Sequence, residues 1–147
     1  MKQMISSMLA FVVQKHDGQF DKGGKPYVLH VLAVAHKLRT DDEELFCIAL
    51  GHDVFEDTDA TKEDLYAIGM TPRVVEGINC LTKMPGESYK EYQAKVLSNP
   101  DAIKVKMKDL LHNSDLRRLK GISDKDLKRV QKYMVFYHLL QENSNDN

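Results

Sequence analysis

EELFCIALGHDVFEDT, residues 43–58, decides how the chain is read. Leu45, Ile48 and Ala49 recur at helical spacing, with Phe46 and Leu50 widening the apolar side, so the segment reads as an amphipathic helix facing a core. The acidic cluster Asp41–Glu44 in front of it suits a helix start, where the macrodipole is positive. His52 then continues the stripe of Leu45, Ile48 and Ala49, and Asp53 continues that of Phe46, Ala49 and Leu50. Consecutive helical positions point about 100° apart, so both side chains can reach one ion beside the helix. A buried carboxylate without a partner is costly, and a cation removes the cost for several such groups at once.

Working outward, the punctuation marks a chain of helices. Ile5, Met8, Leu9, Val12 and Val13 give an apolar face to residues 2–16, and DGQFDKGGKP breaks that helix. A second helix is expected over 27–39, with Val31, Val34, Ala35 and Leu38 inward. Thr61 with Asp64, Ser88 with Glu91, and Ser123 with Asp126 have the spacing of capping boxes. Thr71-Pro72 and Asn99-Pro100 pair an N-cap with a first-turn proline. The last helix is expected to turn Leu127, Val130, Met134 and Tyr137 inward, followed by the polar, frayed tail ENSNDN at 142–147. No segment alternates with a period of two, so no strand is expected. The expectation is an all-α chain, one domain over 1–147, with a bundle-like core.

Composition bounds the function. Lys plus Arg is 21 and Asp plus Glu is 22, a net charge of −1, so the broad basic field of a sequence-independent binder of polymeric nucleic acid is missing. No apolar run is long enough to span a bilayer. The N-terminal stretch has one Lys2 before an apolar part broken by Ser6 and Ser7, and no small-residue cleavage site, so it does not read as a signal peptide. Cys47 and Cys80 fall in apolar helical patterns without a CxxC partner and read as buried thiols of a cytoplasmic protein.

Two further ligand-type residues interrupt core faces. His30 shares its stripe with Val34 and Leu38, and Asp109 follows Val105 and Met107. Taken singly, His30 reads as a hydrogen-bonded core histidine and Asp109 as an ion-pair partner of Lys106 or Lys108. Taken together, His30, His52, Asp53 and Asp109 make a set of two imidazoles and two carboxylates from three helices. Such a set suits Mn²⁺, Fe²⁺ or Zn²⁺ with positions left for water, and the absence of thiolates argues against a closed structural zinc site. Glu56 and Asp57 follow His52 and Asp53 by one turn and share their face. They can orient a water activated by the metal, take its proton, or protonate a leaving oxygen. The alternative for Glu56 and Asp57 is a helix end running into an acidic, solvated loop. Lys22, Lys25 and Lys83 lie in or beside loops flanking the site, and Gly23 and Gly24 permit close backbone approach to a ligand. A turn with solvated lysines is the other reading of that loop. Arg117, Arg118 and Lys120 read as surface charge, and Tyr133 with Tyr137, one turn apart, as core packing or a surface on which a base stacks.

HDGQFDKGGKPYVLHVLAVAHKL, IALGHDVFEDTDAT, LTK and VKMKDLLHNSDLRRL occur in the order seen in the HD-domain metal-dependent phosphohydrolases, and cover most of residues 10–120. The chain most resembles the hydrolase domain of Rel/Spo-type alarmone enzymes and the small single-domain alarmone hydrolases. The resemblance implies an all-α HD-type helical bundle with a metal, commonly Mn²⁺, on His30, His52, Asp53 and Asp109, and hydrolysis assisted by Glu56 and Asp57. It implies removal of pyrophosphate from the ribose 3′ position of (p)ppGpp, a small phosphorylated nucleotide. Lys22 matches a residue holding the guanine and ribose side, Asn113 a substrate-contacting asparagine, and Lys83 a lysine near phosphate. The family has Arg-Lys where this chain has Asp21-Lys22, a basic residue where it has Leu110, and an arginine-threonine pattern where it has SDLRRL, with Asp115. Those differences keep two alternatives open: a nucleotidase or other nucleotide phosphatase that does not select guanine, and a nucleotide-binding sensor that hydrolyses nothing.

Overall fold

A computed structural model describes residues 3–144. Helix α1 spans Met4–Lys15, α2 Val28–Lys37, α3 Glu43–Leu50, α4 Val54–Asp57, α5 Lys62–Ala67, α6 Pro72–Cys80, α7 Tyr89–Leu97, α8 Pro100–Asn113 and α9 Asp124–Glu142. Helices α3 and α5–α9 start at side-chain caps. Thr61, Ser88 and Ser123 close reciprocal capping boxes with Asp64, Glu91 and Asp126. Thr71 and Asn99 cap helices that open with Pro72 and Pro100. Asp42 caps α3, its carboxylate accepting from the Glu44 and Leu45 amides. Among the described residues the only bridge pairing is an isolated one between Phe20 and Pro26, so the all-α expectation holds. Among the described residues no helix is long and apolar enough to cross a membrane. Residues 145–147 of the expected tail lie outside the described residues.

Helix α3 is the centre of the core: Cys47, Ile48, Ala49 and Leu50 are all buried. It packs on α1, α2, α6 and α8, and α8 in turn packs on α2, α7 and α9. Helices α2, α3 and α8 therefore meet, and these are the helices that carry His30, lead into His52, and carry Asp109.

Three expectations are corrected. His52 and Asp53 are not consecutive mid-helix residues, because α3 ends at Leu50 and Gly51–Asp53 form a turn before α4. The cause is packing at Gly51: a Cβ there would stand 2.2 Å from Met8 Cε and 2.7 Å from Ile78 Cδ1, so α1 and α6 close onto a bare backbone. On α9 Tyr137 packs against the core as expected, but Leu127 is half exposed, and the fully buried residues are Phe136 and Leu140. Val13 on α1 is likewise half exposed rather than inward.

The loop between α1 and α2 is folded on itself. Asp21 Oδ1 accepts from the Gly23 and Lys25 amides at 3.0 and 2.9 Å, and Gly24 adopts φ +87°, a conformation glycine reaches without strain. Gly23 does allow a close approach, but the approaching group is the chain itself: a Cβ on Gly23 would lie 2.1 Å from the Arg118 carbonyl oxygen. Gly23→Ala must push this loop off the 3-10 turn at Leu116–Arg118. The expected cost is about 1–3 kcal/mol, read as a lower denaturation midpoint, with weaker binding of any ligand in the adjoining cavity.

Candidate metal centre and substrate clefts

His30 reaches inward from the first turn of α2, Asp109 from the last turns of α8, and His52 and Asp53 from the turn after α3. His30, His52 and Asp109 are buried, and one donor atom of each lies within 4.8 Å of the others. His52 Nε2 stands 3.0 Å from Asp53 Oδ2 and 3.3 Å from Asp109 Oδ1. His30 Nε2 stands 2.9 Å from Asp109 Oδ1 and 3.8 Å from Asp53 Oδ2. Three of the expected ligands, His30, His52 and Asp109, form one group able to hold a metal ion, and Asp53 adjoins it through its contacts to both histidines.

The donor set fits a divalent cation. His52 Nδ1 lies 2.7 Å from the Ala49 carbonyl and can only donate there, which leaves Nε2 as the ligating nitrogen. That Nε2 is buried without a hydrogen-bond partner, although two carboxylates crowd it. A buried polar atom left so is unusual in a folded protein and is satisfied by an ion between it and the carboxylates. His30 Nδ1 lies 2.8 Å from His112 Nδ1. A cation on His30 Nε2 requires His30 Nδ1 to donate and His112 to accept. His112 is suited to accept: burial, then the Arg118, His30 and Lys37 charges, bring its pKa down to about 4, so it is neutral near pH 7.

Supporting groups hold both carboxylates. The Tyr27 hydroxyl donates to Asp53 Oδ2, and burial followed by the Asp53 charge pushes the phenol pKa up, so it remains a donor. Lys106 Nζ and Asn113 Nδ2 donate to the two oxygens of Asp109, each at 2.9 Å. The Lys106 pairing foreseen for Asp109 thus coexists with its place in the cluster. Burial alone would raise the Asp109 pKa, but Lys106 and then His52 hold it well below the usual carboxylate range.

Burial alone would lower the His52 pKa, and Asp53 and Asp109 outweigh it and raise it well above 6.5. Without a cation the proton sits on Nε2, because Nδ1–H is committed to Ala49. A cation must displace that proton, so its affinity rises with pH by about tenfold per unit for one proton released and levels off above the raised pKa. Calorimetric titration with Mn²⁺ in buffers of different ionisation enthalpy is expected to count one proton released. A pH-independent affinity would contradict the assignment of His52.

A cavity of about 270 Å³ opens beside the cluster, lined by Tyr27 and Asn113 on the cluster side and by Phe20, Lys22, Arg118 and Tyr133 beyond. Of the four expected substrate contacts, Lys22 and Asn113 line it. Lys25 is exposed on the same loop and does not. Lys83 lines a different cavity, of about 460 Å³, together with Glu56. There the Lys83 amide donates to Glu56 Oε1 at 2.7 Å, so the backbone of Lys83 holds Glu56 in place. Asp57 lines neither cavity; partial loss of hydration, then the Asp53 and Glu56 charges, push its pKa up to about 6. Asp21, the residue in place of the family arginine, is engaged by Arg118 at 3.0 Å and by its own loop. Leu110 is buried in the core, and Asp115 caps the 3-10 turn.

Tyr27, Lys106, His112 and Arg118 are functional neighbours that the sequence reading did not assign to the site. The first three had a signal: each stands three residues from a ligand, Tyr27 before His30 and Lys106 and His112 on either side of Asp109. At that spacing a helix brings them to the ligand's own face. Arg118 had none, since its contacts to Asp21, Asn113 and the His112 carbonyl depend on the loop fold. Tyr133 lines the first cavity, whereas Tyr137 packs against the core.

No family model matches the chain. Among curated proteins it is 33% identical over 139 residues to a probable guanosine-3′,5′-bis(diphosphate) 3′-pyrophosphohydrolase of Synechocystis, covering 86% of this chain and 18% of that protein. It is 37% identical over 124 residues to the guanosine-3′,5′-bis(diphosphate) 3′-pyrophosphohydrolase of Vibrio cholerae, covering 78% of this chain and 17% of that protein. The chain thus spans less than a fifth of the length of these relatives. Among solved structures it superposes on a metazoan ortholog of SpoT, described as hydrolysing ppGpp and playing a role in starvation responses. The TM-score is 0.78 at 27% identity, over 99% of this chain and 88% of that one. Shared sequence, shared all-α architecture and the buried His/Asp cluster together place this chain in the family of Rel/Spo-type HD hydrolase domains.

Proposed function

We propose that the chain is a divalent-cation-dependent phosphohydrolase of a nucleotide, and most specifically a (p)ppGpp 3′-pyrophosphohydrolase. The observation that carries this reading is the His52 Nε2 atom, buried without a hydrogen-bond partner between two carboxylates that a third ligand, His30, also faces. A cation there, for which we propose Mn²⁺, supplies Lewis acidity to a phosphoryl oxygen and to water. The activities of the relatives support the substrate class.

The chain's own residues divide the remaining work. Tyr27 and Lys106 fix the two carboxylates, and His112 fixes the His30 ring. Water attacks the phosphorus next to the ribose 3′ oxygen, a new P–O bond forms, and the bond from phosphorus to that 3′ oxygen breaks. Pyrophosphate leaves, and the 3′ oxygen gains a proton. Glu56, oriented by the Lys83 amide, is assigned to accept the water's proton, and Asp57, with its pKa about 6, to supply one to the leaving oxygen. Lys22 and Asn113 bind the nucleotide in the cavity that Tyr27 and Asn113 link to the cluster. Lys25, on the same loop as Lys22, serves phosphates at the edge of that cavity, and Lys83 serves them from the separate cavity that it lines with Glu56. A small nucleotide substrate and the two buried, unpaired thiols suit the cytoplasm.

The test is a product assay with Mn²⁺ on ppGpp, pppGpp, NADPH and simple nucleotides. Pyrophosphate released from ppGpp, and lost in Glu56→Ala, is the expected result. Orthophosphate from simple nucleotides would instead mark a nucleotidase. Tight ppGpp binding without turnover would mark a sensor.

A further inference from the structure

Away from the cluster, the end of α2 and the outer face of α8 enclose two adjoining cavities, of about 340 and 330 Å³. They share Arg39 and Lys108, and Lys37 lines the second. The wall between these cations is apolar, built from Leu38, Leu45, Met107 and Leu111. None of this belongs to the clefts beside the metal centre.

Basic residues in the last turn of a helix complement its dipole, and that accounts for His36 and Lys37. It does not account for Lys108, which is partly buried on α8 and well before that helix ends. Nor does it account for Arg39. Arg39 has φ +47° just past the end of α2, a left-handed position normally filled by glycine or asparagine. A side chain retained there against backbone strain points to a use for the side chain. That side chain stands at the seam of the two cavities, where three cations converge on a chain whose overall net charge is only −1. Concave volumes of this size with few placed charges on apolar walls suit a small ligand rather than an extended polymer. Arginine's planar fork is matched to phosphoryl oxygens.

We infer that Arg39, Lys37 and Lys108 form a second anion site, separate from the metal centre, which takes the phosphoryl groups of a small ligand. Its source is either a free phosphate or a nucleotide whose base lies on the Leu38, Leu45 and Met107 wall. The site adjoins the metal centre along α8, since Lys108 and Leu111 directly precede Asp109 and His112. The proposal does not depend on which nucleotide the metal centre hydrolyses.

The experiment is amide chemical-shift mapping of the zinc-loaded protein titrated with inorganic phosphate and, separately, with ADP. Saturable shifts at residues 36–40 and 104–107 are expected, distinct from shifts of 20–23 and 113–118 at the first cavity. In Arg39→Gly, which removes the cation and relieves the backbone, binding at 36–40 is expected to weaken about tenfold or more, with the melting temperature held or raised. Lys108→Gln is expected to weaken it as well. ADP binding more tightly than phosphate names the nucleotide as source, and equal or weaker binding names the free anion. Shifts that rise linearly without saturation, or saturable shifts unchanged in Arg39→Gly, would overturn the proposal.

Discussion

Asp53→Asn is expected to leave a folded protein that has lost its metal and its activity, with turnover down by about 10²–10³-fold or more. Asparagine keeps the shape of the side chain and an oxygen to accept from the Tyr27 hydroxyl. It loses the charge that, with Asp109, offsets a divalent cation between His30 and His52. Burial alone would raise the Asp53 pKa, but His52 brings it down to about 2, so the carboxylate is ionised at any working pH. The substitution therefore removes a full negative charge from the cluster. The near-isosteric amide keeps the contact to Tyr27, so the fold is expected to hold. Metal analysis, a denaturation curve and a turnover assay separate the outcomes. A variant that still binds Mn²⁺ and turns over at the wild-type rate would remove Asp53 from the ligand set. Tyr27→Phe is a graded companion: it removes only the donor to Asp53, and a loss of about 10–100-fold in metal affinity is expected.

The helices were legible because their ends are written in short-range chemistry. Each capping pair, from Thr61 with Asp64 to Ser123 with Asp126, needs only residues three apart to find each other. The buried His/Asp cluster was legible for a related reason: imidazole and carboxylate stand out on faces that otherwise carry Val34, Ile48 or Val105. The turn at Gly51 was not legible. It exists because Met8 and Ile78, 43 and 27 residues away, press on a bare backbone, and no local pattern announces that. The outward place of Leu127 on α9 was not legible either. Leu127 and Val135 are as apolar as Phe136 and Leu140, and only docking on α8 selects which face is covered. Lys22 and Asn113 line one cavity, and the separation of Lys83 and Glu56 into a second depends on where the 82–87 loop folds. The role of Arg118 depends likewise on a contact to Asp21 across 97 residues.

Asp109→Ala is expected to cost about 3–5 kcal/mol of stability, more than removing either histidine, and the reason lies in Lys106 rather than in the metal. The Lys106 ammonium donates to Asp109 Oδ2 at 2.9 Å and lies over the rings of Tyr92 and Phe136 at 5.4 and 5.8 Å. Its side chain is 17% exposed, and although burial alone would lower its pKa, Asp109 holds it above the ordinary lysine value. Taking away the carboxylate leaves a desolvated charge with only two aromatic faces, which do not replace an ion pair. The double variant Lys106→Met/Asp109→Ala removes both charges and fills the space with an unbranched apolar chain, so most of the lost stability should return. Activity should not return, because both variants lack the Asp109 carboxylate proposed to hold the cation. The pH dependence has a fixed sign. The folded-state pKa of Asp109 is lowered, so its contribution is full above the ordinary carboxylate value of 3.8 and is lost as pH falls through the lower folded value. Wild type should therefore lose stability more steeply than the double variant as pH drops below about 4. Denaturant titrations of the four members of the cycle at pH 7 and in acid measure both effects. A single Asp109→Ala variant as stable as wild type would show that Lys106 is not held by this carboxylate, and the geometry of the cluster would have to be redrawn around a different partner.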